Sequence, residues 1–196
     1  MDSTNIKTSE ADNNLLWQAF LQGDEQAYTA LYRHHVRAMY RYGMSLVPAS
    51  ETFVLDCIHD VFTEIWVKRT RLSSPDNVRY YLLKSLKTRI LHLLQRKEKV
   101  TESLDQLDFN DLWSEPSHEE VFSLAEENQN KEVLIQKLMS QLPPRQQEVL
   151  RLRFVEDLDY KEIGEILSVN PQSAQNLVFR AVEKLRTWLV PVVFIL

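Results

Sequence analysis

The chain has 196 residues, of which 44% are hydrophobic and 26% are charged, and its formal net charge is −5. It contains three glycines, about a fifth of the number expected at the usual glycine content of roughly 7%. Phosphate-binding loops, Rossmann folds and tight β-hairpins need glycine where the backbone takes a positive φ or closely approaches a ligand. The composition therefore excludes those classes and favours an all-α chain.

Cysteine use and hydropathy indicate a cytoplasmic protein. Cys57 is the single cysteine, so no internal disulfide can form. The polar N-terminal residues lack the apolar core of a signal peptide. The longest apolar run, Trp188–Leu196, is shorter than the roughly 18 residues that a membrane helix needs.

The charges are distributed in blocks along the chain. Residues 1–65 have a net charge of −5, and residues 66–97 contain nine basic and one acidic residue, a net charge of +8. Residues 98–130 contain one basic and ten acidic residues, a net charge of −9, and residues 131–196 have a net charge of +1. A basic block followed by an acidic one indicates a polyanion-binding face beside a segment that competes for it.

Two amphipathic helices are predicted before residue 66. Asp24 offers an N-cap for the first, which Pro48 ends, and the second begins at about Ser50. The second helix places Val54, Ile58, Val61, Phe62 and Ile65 on one core-facing stripe. The opposite face carries polar side chains: Asp56, His59, Asp60, Thr63 and Glu64.

A third strong helix follows the loop signal Ser73–Asp76, with Pro75 predicted at its first helical position. Its apolar residues face inward, and its outer face is basic and polar. This excess of positive charge favours nucleic-acid binding over a mere solubility role. Residues 98–130 then combine acidic residues with sparse apolar ones, a pattern typical of a linker.

The C-terminal segment has the layout of a helix-turn-helix. Helical periodicity resumes at about Lys131, with core positions at Leu134, Leu138, Leu142, Val149, Leu152 and Val155. Asp159 can cap the next helix, Gly164 is small where two helices would cross, and Asn170-Pro171 can start the last helix. Ile163, Leu167, Val169, Ala174 and Leu177 can fill its core.

The last helix presents polar groups outward: Gln172, Ser173, Gln175, Asn176 and Arg180. Such groups can meet base edges and phosphates in a major groove. Helices joined by a tight turn also occur in generic bundles, and Arg180 and Lys184 are in that case ordinary surface residues. The apolar end, Val190–Leu196, has three open interpretations: packing on the domain, a partner contact, or an aggregation-prone end.

Catalytic and metal sites are not indicated. The five histidines lack metal-ligand spacing with Cys57 or with paired carboxylates, and His34-His35 is expected at a helix surface. Cys57 adjoins the apolar stripe and is expected to be a buried small residue. We therefore expect no catalytic residue, no cofactor and no small-molecule substrate.

The motifs together resemble the extracytoplasmic-function sigma factors of the sigma-70 family. LPPRQQEVLRLRFV (142–155), LDYKEIGEIL (158–167) and RAVEKLR (180–186) resemble that family's C-terminal DNA-binding domain. AFLQGDEQAYTALY (19–32), DVFTEIW (60–66) and Tyr81-Leu-Leu resemble its first domain, in the same order. The expected fold is thus all-α, with two small helical domains joined by an acidic linker, the C-terminal one a helix-turn-helix.

The resemblance implies a role for each segment. Residues 10–97 correspond to sigma region 2, which binds core RNA polymerase and recognises and melts the minus-ten element. Residues 98–130 form the acidic flexible linker. Residues 131–190 correspond to sigma region 4, which binds the minus-thirty-five element.

The resemblance also implies three sets of contact residues. RNA polymerase would be bound by Asp56, His59, Asp60, Thr63 and Glu64. The melted element would be bound by Arg71, Ser73, Ser74, Asn77, Lys84, Lys87, Thr88, Arg89, His92 and Arg96. The upstream element would be bound by Gln172, Ser173, Gln175, Asn176, Arg180 and Lys184.

The function that the resemblance implies is that of a sigma factor, which directs core RNA polymerase to promoters and assists DNA melting. The implied partners are core RNA polymerase, promoter DNA and an anti-sigma factor, which in the family is often membrane-bound. The alternative is a conventional dimeric helix-turn-helix regulator on palindromic sites. The basic block at residues 66–97 argues against that alternative, because a sensor module needs no second DNA-binding surface.

Overall fold

The computed structural model describes residues 10–47, 50–101, 135 and 137–193, and every regular element among them is helical. The prediction of an all-α fold is confirmed. The chain divides into two compact units, Met1–Glu115 and Pro116–Leu196. Most of the predicted linker, Leu134 and the last three residues of the apolar end lie outside the described residues.

The described part of the first unit consists of four helices and a short 3₁₀ turn. They are α1 (Glu10–Leu21), α2 (Glu25–Leu46), α3 (Glu51–Lys68), the 3₁₀ turn (Arg69–Arg71) and α4 (Val78–Thr101). Helix α1 packs on α2, and α2, α3 and α4 pack against one another. The unit is therefore a small helical bundle in which α3 and α4 are neighbours.

The predicted starts of α2 and α3 are confirmed by their caps. The Asp24 carboxylate accepts hydrogen bonds from the backbone amides of Gln26 and Ala27, at 2.8 and 3.0 Å. The Ser50 hydroxyl accepts one from the Phe53 amide at 3.3 Å. Each cap satisfies amides at the helix start that have no partner within the helix.

The core of this unit is the predicted stripe of α3 together with the inner face of α4. The five stripe residues of α3 are at most 3% exposed, and Cys57 between them is buried as expected. Leu82, Leu86 and Ile90 of α4 are also buried. Burying each such side chain contributes roughly 1.5–3 kcal/mol, so this shared core is what holds α3 and α4 side by side.

Two expectations for the first unit are wrong. Helix α4 begins at Val78 rather than at Pro75. The Asn77 side chain caps it by accepting a hydrogen bond from the Tyr80 backbone amide at 3.0 Å. Pro75 lies in the preceding loop. His35, expected at a surface, is 1% exposed, because it lies on the inward face of α2 with Leu31 and Met39.

After a helical stretch at residues 137–140, the described part of the second unit contains three helices and a π turn. They are α5 (Pro144–Leu150), the π turn (Arg151–Val155), α6 (Tyr160–Leu167) and α7 (Pro171–Val193). Both α5 and α6 pack on α7. Leu138 and Leu142, which precede α5, are buried as predicted.

The π turn overturns the expectation that Val155 is a core residue. Val149 and Leu152 are fully buried, but Val155 is 49% exposed. In the π turn the Glu156 amide bonds to the Arg151 carbonyl, five residues back, so one extra residue enters the turn. The extra residue rotates the following side chains and places Glu156 inside, at 1% exposure.

The helix-turn-helix prediction is confirmed, and its turn is held by backbone and side-chain bonds. Asp159 and Glu162 form a capping box at the start of α6. At its end Ser168 adopts the left-handed conformation, φ 54°, and the Val169 amide bonds to the Gly164 carbonyl at 2.8 Å. Asn170 then caps α7 through the Ser173 amide at 2.7 Å.

The structural reason for a glycine at position 164 differs from the expected one. A Cβ at this position would lie 2.7 Å from the Val169 carbonyl oxygen, so the obstacle is the turn backbone rather than a crossing helix. The observed core of the helix-turn-helix also differs from the predicted one. Leu177 and Val169 are partly exposed, and Val178 and Ala181 are buried instead.

Candidate functional site

The polar face of α3 is exposed as predicted. Asp56, His59, Thr63 and Glu64 are exposed, and Asp60 is partly exposed. The buried stripe on the opposite side of the helix fixes this orientation. The structure therefore brings these five side chains together on one helix face.

Asp60 is engaged by a side chain from α4. Arg89 donates from Nε and Nη2 to Asp60 Oδ2, at 2.9 and 2.7 Å. The two side chains are 34% and 46% exposed, so the pair is partly buried. Asp60 is predicted to contact polymerase and Arg89 to contact DNA, whereas in the structure the two residues are bound to each other.

Two further members of the α3 face have partners within the unit. The His59 Nε2 atom lies 3.2 Å from the Tyr32 hydroxyl, and their rings are stacked with centroids 6.2 Å apart. Glu64 forms an ion pair with Lys68, one turn further along α3. Asp56 and Thr63 are exposed, and neither side chain forms a hydrogen bond or an ion pair with another side chain among the described residues.

The loop between the 3₁₀ turn and α4 presents the predicted hydroxyl groups. Arg71, Ser73 and Ser74 are exposed, and Asn77 is partly exposed because its side chain caps α4. The Ser73 carbonyl accepts a hydrogen bond from the Trp17 indole at 3.2 Å. Both serine side chains therefore lie on a loop that is attached to the bundle.

The outer face of α4 is basic, but its lysines are not all fully exposed. Lys84 is partly buried and donates to the Tyr80 hydroxyl at 2.7 Å. Lys87 is also partly buried, whereas Thr88, His92 and Arg96 are exposed. A groove of about 580 Å³ runs between α3 and α4 and is lined by Glu64, Lys68, Tyr80, Tyr81, Lys84, Thr88, Arg89 and His92.

Helix α7 presents the predicted upstream-element residues outward. Gln172, Gln175, Asn176, Arg180 and Lys184 are exposed, and Ser173 is partly exposed beside the Asn170 cap. Ala174, Val178 and Ala181 hold the opposite side of the helix in the core. The helix thereby displays a continuous polar face that starts at its N-terminus.

This face also carries an exposed aromatic residue that was not predicted from the sequence. Phe179 is 65% exposed although it is a large apolar side chain. It lies three, four and seven residues after Asn176, Gln175 and Gln172, so it shares their side of the helix. Its helical phase could have revealed it, because Ala174, Val178 and Ala181 define the core side without it.

The one strongly perturbed group in the described residues lies away from these surfaces. Burial, together with the nearby His34 and Arg79, lowers the pKa of His35 to about 3. Within the described residues, no three His, Cys, Asp or Glu side chains cluster as a metal site would require. In that same part of the chain, no helix has the length and hydropathy to span a membrane.

Comparison with known proteins finds a family match in the C-terminal part of the chain and a relative with similarity over most of it. Residues 132–185 match the family model "Sigma-70, region 4". The chain is 23% identical over 152 residues to RNA polymerase sigma factor SigV of Bacillus subtilis (strain 168), covering 78% of this chain and 84% of that protein. The 23% identity, spread over both units, extends the likeness beyond the helix-turn-helix.

Two solved structures share the fold. The structure of CnrH in complex with the cytosolic domain of CnrY matches with a TM-score of 0.58 and 16% identity, over 91% of this chain and 97% of that chain. The sigma factor RpoE from Bartonella quintana, in complex with the anti-sigma factor NepR, matches with a TM-score of 0.60 and 16% identity. That match covers 83% of this chain and 96% of RpoE.

Proposed function

We propose that the chain is a sigma factor of the extracytoplasmic-function group, which directs core RNA polymerase to promoters and helps to melt the DNA there. The observation that carries the proposal is the region 4 match over residues 132–185, where an exposed polar face lies on the second helix of a helix-turn-helix. The sigma-factor relative covers both units, which favours this role over that of a conventional dimeric regulator.

We propose that α3 provides the polymerase-binding face. The supporting observation is a set of exposed polar side chains beside a buried apolar stripe: Asp56, His59, Asp60, Thr63 and Glu64. Asp56 is the best single probe, because Asp60 is bound to Arg89 and Glu64 to Lys68. Asp56 has no side-chain partner among the residues that the structure describes, so its carboxylate can be exchanged without breaking a contact seen in the bundle.

We propose that the loop before α4 and the outer face of α4 hold the melted strand. Unstacked bases need pockets and hydrogen bonds, and their phosphates need cations. Hydrogen bonds to the bases would come from the exposed hydroxyl groups of Ser73 and Ser74. The cations for the phosphates would come from Arg71, Lys84, Lys87 and Arg96, with Thr88 and His92 beside them. Asn77 supports the loop as a cap, and Arg89 reaches phosphate only if it leaves Asp60.

We propose that α7 reads the upstream element in the major groove. Gln172, Ser173, Gln175, Asn176 and Arg180 lie along the face that a recognition helix turns to base edges, and Lys184 extends it toward phosphate. Phe179 adds an apolar group to this face. Such a group recognises the methyl group of thymine, which makes Phe179 a candidate specificity residue.

The proposed partners follow from the same family. They are core RNA polymerase, promoter DNA and an anti-sigma factor. Because polymerase and promoter DNA are found in the cytoplasm, we propose that the protein acts there. The solved relative RpoE is bound to the anti-sigma factor NepR, which supports the third partner. The role is one of binding and DNA opening, so the chain is proposed to perform no covalent chemistry.

The first test of this function is co-elution with core RNA polymerase on a sizing column. We expect the wild-type chain to form a stoichiometric complex, and Asp56→Arg to weaken it by at least 10-fold. Asp76→Arg makes the same charge change on an exposed loop residue outside α3, and should leave the complex intact. A chain that forms no complex, but forms a dimer that binds duplex DNA alone, would refute the proposal.

A further inference from the structure

A buried tryptophan of α1 contacts the loop that precedes α4. Trp17 is 0% exposed, and its indole N–H donates to the Ser73 carbonyl oxygen at 3.2 Å. The two residues are 56 positions apart in the sequence. A fully buried indole N–H needs an acceptor, and here the acceptor is the backbone of the loop.

The Trp17 indole packs between two aromatic rings. Phe20 and Tyr81 lie edge-on to the Trp17 ring, with centroids 5.1 and 5.3 Å away. Phe20 is fully buried, and Tyr81 belongs to α4. The indole therefore packs within the bundle formed by α1 and α4, and its hydrogen bond to Ser73 is a separate contact that joins the bundle to the loop.

The loop is bonded at its two ends as well as through Trp17. The Leu72 amide bonds to the Arg69 carbonyl at 3.3 Å, which closes the 3₁₀ turn. The Asn77 side chain caps α4 through the Tyr80 amide. Between these points the Trp17 bond fixes the backbone at Ser73, where the exposed side chains of Ser73 and Ser74 begin.

We propose that Trp17 is a positioning residue for the melted DNA strand. By holding the Ser73 carbonyl it sets the direction of the adjacent serine side chains before DNA arrives, so less loop ordering remains when DNA binds. This inference rests on the proposed function, because it names the part of α1 that shapes the DNA-binding loop. Helix α1 then contributes to DNA binding without touching DNA.

The test compares two substitutions of buried aromatic residues in α1. Trp17→Phe keeps a ring but removes the indole N–H. Phe20→Leu is the matched control, because it removes a ring that packs on Trp17 and leaves the hydrogen bond to Ser73 in place. Each full-length variant is assembled with core polymerase, and thermal unfolding of the free chain reports how far each substitution destabilises the bundle.

The probe is a promoter fragment that the wild-type holoenzyme selects from a random library, prepared with a premelted bubble. We expect Trp17→Phe to weaken bubble binding by about 3- to 10-fold with unchanged affinity for core polymerase, since one neutral hydrogen bond accounts for a factor of that size. We expect Phe20→Leu to change bubble binding less than 2-fold. Equal losses for the two variants, or none for Trp17→Phe, would overturn the inference.

A second measurement separates this inference from the proposed function. Hydrogen exchange of peptides spanning residues 69–78 in the free chain should be faster in Trp17→Phe than in Phe20→Leu. Unchanged exchange overturns the positioning role whatever the DNA result. A wild-type chain that fails to join core polymerase overturns the proposed function instead, and faster exchange in that case still supports the attachment of the loop by Trp17.

Discussion

The Asp60–Arg89 pair makes a prediction about coupling between α3 and α4. Arg89 donates two hydrogen bonds to one carboxylate oxygen, at 2.7 and 2.9 Å. Hydrogen bonds to charged groups contribute about 1.5–3 kcal/mol when buried, whereas exposed ion pairs contribute about 0.2–1 kcal/mol. With the side chains 34% and 46% exposed, we expect a coupling free energy of about 1 kcal/mol.

The measurement is a double-mutant cycle on the free energy of unfolding in urea. The variants are Asp60→Asn, Arg89→Gln and the two combined, and the coupling is the departure of the double variant from additivity. Asp56→Asn with Arg89→Gln is the matched control. It removes the same charge from the same face, one turn earlier, where no contact to Arg89 is made. We expect that control pair to be additive.

Additivity within about 0.3 kcal/mol for the Asp60 and Arg89 variants would refute this reasoning. The same variants also separate the two surfaces. Both bonds go to Oδ2, so Asp60 Oδ1 is not used by Arg89. We therefore expect Asp60→Asn to weaken core polymerase binding more than Arg89→Gln does.

Three further predictions concern the packing of each unit. Gly164→Ala should destabilise the second unit by about 1–3 kcal/mol in thermal unfolding, because the new Cβ would lie 2.7 Å from a backbone oxygen and the gain in helix propensity is only about 1 kcal/mol; an unchanged Tm would contradict this. The pKa of His35 is lowered to about 3, below its unfolded value, so its contribution to stability is complete above pH 6.5 and declines as the pH falls toward 3, by at most about 1.4 kcal/mol per pH unit. Urea titrations should show a shallower acid limb in His35→Leu, and parallel limbs would exclude this group as the cause. Leu152→Ala should cost about 2–5 kcal/mol and Val155→Ala less than about 0.5 kcal/mol, whereas equal losses would contradict the exposed position of Val155.

Local signals in the sequence predicted the starts of α2, α3, α6 and α7 correctly, although not that of α4. Asp24, Ser50, Asp159 and Asn170 each cap the helix that follows, because a short polar side chain can reach the free amides of the next turn. The periodic stripe of α3 was equally informative, since it contains enough residues to define one face. These features depend on neighbours within four residues along the chain.

The features that the sequence did not reveal depend on an inserted residue or on contacts between residues far apart in the sequence. The π turn displaces Val155 by inserting one residue, and an apolar period of three or four residues contains no sign of it. The Asp60–Arg89 and Trp17–Ser73 bonds join residues 29 and 56 positions apart. His35 shares its polar residue type with surface positions, and only its packing in the bundle shows that it is buried.

The two proposed surfaces of the first unit share one core. The proposed polymerase face lies on α3 and the proposed DNA face on α4, and the buried sides of the two helices pack together, so we expect substitutions in that core to disturb both activities at once. Polar contacts at the surface are therefore the better way to separate them. Trp17–Ser73 acts on the loop before α4 alone, while Asp60–Arg89 joins the two faces. A loss of DNA opening without loss of polymerase binding should thus follow from changes at Trp17, and combined effects from changes at Asp60.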